Sequence, residues 1–104
     1  MNKRCCLELE ILSGPLDGYV LLLETITEFT RKPGSLLSFP WDEGISEPHA
    51  RFIPYTAEWQ LEGGNTKRGT HLLRQEQEVS LPVVLQVGDV VKASNTWMRI
   101  KNIT

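Results

Sequence analysis

The sequence predicts an all-β fold, a sandwich of two mainly antiparallel sheets, from three observations. Apolar and polar residues alternate at a period of two in the clearest segments, as one buried face of a strand requires. Turn chemistry recurs about every 8–12 residues, the spacing of short strands in sandwiches and barrels. No window of about 11 residues or more carries the apolar stripe of an amphipathic helix.

Leu7, Leu9 and Ile11 alternate with Glu8 and Glu10, which predicts a half-buried first strand. Ser13-Gly14-Pro15 and Asp17-Gly18 then turn the chain. Strands are predicted at 19–23 and 26–30, the second ended by Pro33-Gly34-Ser35, because proline removes a ladder donor and glycine admits unusual dihedrals. A short strand follows at 36–39. Residues 40–48 hold two prolines, Gly44 and the acids Asp42, Glu43 and Glu47, so they read as a loop whose carboxylates serve solubility. Strands resume at 50–55 and 57–61, with Trp59 and Leu61 facing one way and Glu58, Gln60 and Glu62 the other. Gly63-Gly64-Asn65 marks a turn, and strands at 70–73, 79–81, 90–93 and 96–103 complete the set. In the last, Met98 and Ile100 oppose Arg99 and Lys101.

The 104 residues, 40% hydrophobic and 23% charged with a net charge of −2, suit one domain spanning 1–104 with its core in about 7–103. Such a module can stand in a larger multidomain protein. Cys5 and Cys6 are adjacent and cannot staple distant segments, which points to a reducing, cytoplasmic setting. Charges after Met1 interrupt any signal-peptide core, and no apolar run approaches the roughly 20 residues of a spanning helix. With 11 basic against 13 acidic residues there is no general attraction to polyanions, so neither nucleic acid nor direct membrane insertion is expected.

Catalytic chemistry has little to stand on. His49 and His71 lack a cysteine or acid at metal-ligand spacing, Cys5-Cys6 is not a C-x-x-C pair, and Ser13-Gly14 and Gly63-Gly64 lack the following helix of a phosphate-cradling loop. No catalytic residue, metal or cofactor is therefore expected. Positive charge is more informative: Arg31-Lys32, Arg51 and Lys67-Arg68 all fall at strand ends or in connections, and would form an anion site if those connections met at one end of the sandwich.

Thr30-Arg31, Ser46-Glu47-Pro48-His49-Ala50, Trp59-Gln60-Leu61, Thr66-Lys67-Arg68-Gly69-Thr70 and Leu85-Gln86-Val87-Gly88-Asp89-Val90, in this order and covering most of the chain, resemble the forkhead-associated (FHA) domain. The resemblance implies an 11-stranded sandwich of SMAD/FHA type that binds phosphothreonine peptides through loops at one end. Such a ligand carries about −1.5 to −2 charges and needs a guanidinium, a hydroxyl and backbone donors aimed at one point.

By that resemblance Arg31 is the phosphate-binding arginine and Ser46 the phosphate-binding serine. Lys32, Thr66, Lys67 and Arg68 complete the phosphopeptide-binding set, and His49 braces the loops without touching the ligand. Two positions depart from the family pattern. Thr30 stands where the family has glycine, and Arg68 replaces an asparagine although arginine cannot accept a hydrogen bond. The expected function is a non-catalytic signalling module that binds a threonine-phosphorylated protein or peptide. The rival is a degenerate FHA-like adaptor that binds a partner, or itself, without needing phosphate.

Overall fold

The computed structural model describes residues 6–46, 49–63 and 69–104. They form two sheets, and eleven strands are present among them. Alternation dictates the first: β1 (Leu7–Ile11) buries Leu7, Leu9 and Ile11 and turns Glu8 and Glu10 outward. After a 3₁₀ turn (Gly14–Leu16) the chain returns as β2 (Val20–Leu23), then crosses to the second sheet as β3 (Thr27–Thr30) and β4 (Leu37–Ser38). Next come β5 (Ala50–Pro54), β6 (Trp59–Gly63), β7 (His71–Arg74), β8 (Gln77–Val79), β9 (Val83–Val84), β10 (Val90–Ala93) and β11 (Thr96–Ile103).

The six-stranded sheet has the order β2-β1-β11-β10-β7-β8 and the five-stranded sheet β4-β3-β5-β6-β9. Every pairing is antiparallel except β3 with β4, which run parallel in the register Phe29↔Leu37. The predicted sandwich is therefore the observed one. The ten strands read from pattern are present with ends shifted by a residue or two. The stretch predicted at 79–81 is the exception, because the strand there runs from Gln77 to Val79. β9 adds an eleventh; at two residues it is too short to show a period.

Between the sheets, Leu9, Val91, Met98 and Ile100 from one inner face meet Phe29, Phe52, Trp59 and Leu61 from the other, all fully buried. Trp59 is the largest of these side chains, and its burial follows from the alternation with Gln60. Among the described residues no helix is long and apolar enough to cross a membrane.

The strand directions place the connections that matter. β3 ends at Thr30, β4 ends at Ser38, β5 begins at Ala50, β6 ends at Gly63 and β7 begins at His71, so the β3–β4, β4–β5 and β6–β7 connections gather at one end. The β10–β11 turn at Ser94 and Asn95 joins them, because it is hydrogen-bonded to Asp42 of the β4–β5 connection.

Candidate functional site

His49 is the hub of that end. It is fully buried, and its backbone N–H donates to the carbonyl of Phe29 at 2.8 Å, tying the start of β5 to β3. Nδ1 accepts the backbone N–H of Ser46 at 3.0 Å, and Nε2 lies 3.1 Å from the carbonyl of Gly69. An N–H donor at Nδ1 and a carbonyl at Nε2 together fix the neutral ring protonated on Nε2. One imidazole thus fastens the β4–β5 loop to the end of the β6–β7 connection. Thr70 adds a longer bond from its hydroxyl to the His49 carbonyl at 3.4 Å, and the Phe29 ring packs 5.6 Å away. Burial pushes the pKa of His49 down, partly opposed by the Gly69 carbonyl and by the charge of Asp42.

Gly69 sits at φ +74°, a conformation in which a β-carbon would be strained, so glycine is required where the carbonyl turns to meet the imidazole.

Arg31 follows directly on β3. Its side chain is half-buried, and Nη1 reaches the carbonyl oxygen of Glu43 at 3.5 Å, which lays the guanidinium against the β4–β5 loop that carries Ser46. Ser46 is itself half-buried and oriented through its bond to His49. Lys32 is exposed, and its N–H donates to the Thr30 hydroxyl at 3.1 Å. The β-branched Thr30 is thus accommodated in this tight turn: its side chain is buried and caps the backbone just beyond Arg31. The structure brings Arg31, Lys32, Ser46 and His49 to one end. Thr66, Lys67 and Arg68 lie outside the described residues. Arg51 stands in β5 with Glu28 and Glu62 as cross-strand neighbours, where acids offset its charge.

One residue of this end escaped the sequence reading. Asp42 is not a solubility residue: it is 5% exposed and accepts four hydrogen bonds. Oδ1 takes the Gly44 N–H at 3.1 Å and the Ser94 hydroxyl at 2.6 Å, while Oδ2 takes the Asn95 N–H at 3.0 Å and the Thr96 hydroxyl at 2.7 Å. Burial alone would raise its pKa, but the four donors outweigh it and hold the carboxyl below the usual range. Ile45, almost fully buried, pins the same loop from its other side. The available signal was Asp42 two residues before Gly44, an Asx-turn spacing, together with the donor-rich Ser94-Asn95-Thr96.

Among the described residues no group of three or more histidine, cysteine or acidic side chains is arranged to hold a metal ion. The site offers the cations of Arg31 and Lys32 and the hydroxyl-bearing Ser46, a set suited to an oxyanion.

No family model matches the sequence, and no curated protein does. Solved structures do. The FHA domain of an Arabidopsis thaliana hypothetical protein superposes with a TM-score of 0.80 at 23% identity, covering 100% of this chain and 90% of that one. An FHA domain studied for phosphothreonine-dependent interactions gives 0.73 at 20% identity, over 96% and 97% of the two chains. The FhaA FHA domain, in complex with the intracellular domain of a second protein, gives 0.73 at 21%, over 91% and 99%. The architecture is that of the solved FHA domains. This chain has the FHA fold over essentially its full length.

Proposed function

We propose that this domain is a non-catalytic module that recruits a threonine-phosphorylated protein in a reducing, cytoplasmic setting. Arg31 and Ser46 hold the phosphate, Lys32, Thr66, Lys67 and Arg68 approach the peptide around it, and His49 supports the loops from beneath. One observation supports this reading: a single buried imidazole joins the backbone of Ser46 to Gly69 while Arg31 leans on the same loop, so the segments that carry Arg31 and Ser46 rest on one braced loop. Prepositioned donors lose little entropy on binding, and charge-assisted bonds to phosphate are among the strongest available to a surface site. The FHA domain known for phosphothreonine-dependent interactions has the same fold.

The test is an NMR titration with matched phosphorylated and unphosphorylated threonine peptide pools. Shifts at Arg31 and Ser46 with the phosphorylated pool alone are expected. Arg31→Ala should cost about 2–4 kcal/mol of that binding and leave the fold intact. Full affinity in Arg31→Ala would overturn the assignment. The departure at Arg68 favours a second reading, the phosphate-independent adaptor, and equal responses to both pools would support it.

A further inference from the structure

A groove of about 700 Å³ lies beside β3 and the turn that follows it, lined chiefly by Thr25, Ile26, Glu28, Thr30, Lys32 and Leu36. Volumes of 300–1,000 Å³ hold a drug-sized ligand, or a few residues of extended chain. The groove is continuous with the proposed phosphate site, since Thr30 and Lys32, the neighbours of Arg31 on either side, both line it.

Its walls are held in place. Ser35 Oγ donates to the carbonyl of Glu28 at 2.5 Å and accepts the N–H of Leu37 at 3.2 Å, which closes the turn against β3. Thr30 anchors the other end through Lys32. Two large apolar side chains stand in this polar setting, Ile26 at 61% and Leu36 at 63% exposure, with no function in the core. They are among the most solvent-exposed apolar residues of the chain, and they line the same groove.

Resting on the phosphopeptide reading, we propose that this groove is a second subsite for the same peptide, taking the segment that flanks the phosphothreonine. Its chemistry specifies the occupant. Lys32 directly follows Arg31, so an acidic residue is favoured beside the phosphothreonine. Leu36 precedes the Phe29↔Leu37 pair and is therefore level with Glu28, about three residues or 10 Å back along β3 from Arg31, and Ile26 lies two residues further. An apolar residue is thus favoured about three to five positions from the phosphothreonine. Glu28 between them disfavours further acids in the middle of the segment.

The experiment uses three phosphothreonine peptides and the whole chain. One is short, with two flanking residues on each side. The other two extend it toward the N-terminus or the C-terminus, with Asp next to the phosphothreonine and Leu four positions away. One of the extended peptides should bind about tenfold more tightly than the short one. Ile26→Asp and Leu36→Asp should each abolish that gain and leave the short peptide's affinity within about twofold; both positions are exposed, so circular dichroism is expected to show an unchanged fold. Extended and short peptides binding alike would overturn the groove and leave the phosphate site standing. Equal weakening of short and extended peptides by Leu36→Asp would also overturn it. Failure of the short phosphorylated peptide to bind better than its unphosphorylated form would remove the primary reading, and the subsite with it.

Discussion

His49 shows how much one side chain can organise when both its ring nitrogens are committed. The Ser46 N–H points at Nδ1, so a proton added there would face a donor and break the loop's attachment. His49→Ala should lower the unfolding free energy by about 1–3 kcal/mol in urea denaturation. The same geometry sets a pH dependence. Because burial depresses the folded-state pKa, the unfolded chain takes up the proton first as the pH falls. The neutral ring's contribution is complete above about 6.5, the ordinary histidine value, and is lost as the pH falls through the lowered pKa. His49→Gln, compared with the native chain by denaturation between pH 7 and about pH 5, should lack that component of the decline. A parallel decline in the two proteins would show that the proton binds elsewhere.

At the scale of elements, the β4–β5 loop is a built structure. Asp42 ties it to the β10–β11 turn, and Ile45 drives into the core. Asp42→Asn puts an amide NH₂ where donors converge, and should cost about 2–3 kcal/mol of stability while also weakening any phosphate-dependent binding, since Ser46 lies in the same loop. Equilibrium unfolding and the peptide titration check the two effects separately. The strands themselves were legible because alternation such as Leu7-Glu8-Leu9 records a buried and an exposed face. Asp42 was not legible as an anchor: its partners Ser94, Asn95 and Thr96 are far away in sequence, and a carboxylate beside Glu43 has the local composition of a solvated loop. β9 was missed because two residues following Pro82 have no measurable period. Arg31, Ser46 and His49 were singled out through the order and spacing of whole motifs, and the bonds that bring them to one loop appear only in three dimensions.

For the whole molecule, the opposite end of the sandwich has its own clamp. Arg74, at the far end of β7, donates from Nε and Nη2 to both carboxylate oxygens of Asp89 at 3.0 and 2.9 Å, and Nη2 also reaches the Val84 carbonyl at 2.9 Å. β7 belongs to one sheet and β9 to the other, so this guanidinium bridges the sandwich. Hydrogen bonding to Asp89 raises the pKa of Arg74. Asp89 is 1% exposed and also accepts the N–H of Gln86. Arg74→Met strands that buried carboxylate and should cost about 2–4 kcal/mol, read as a lower urea midpoint with an unchanged slope. Because this clamp lies away from the loops, affinity for a phosphorylated peptide should be unaffected under conditions where the variant is folded.

The buried imidazole at the other end has a consequence for how such a domain can change over time. His49 and Asp42 are buried in the architecture, whereas Arg31 is only half-buried against the β4–β5 loop and Lys32 is exposed. A lineage that ceased to need a phosphorylated partner could lose these cations at little thermodynamic penalty, yet it would be held to the buried pair by the need to fold. A histidine in this position is therefore kept by the need to fold, a constraint that the cations beside it do not share.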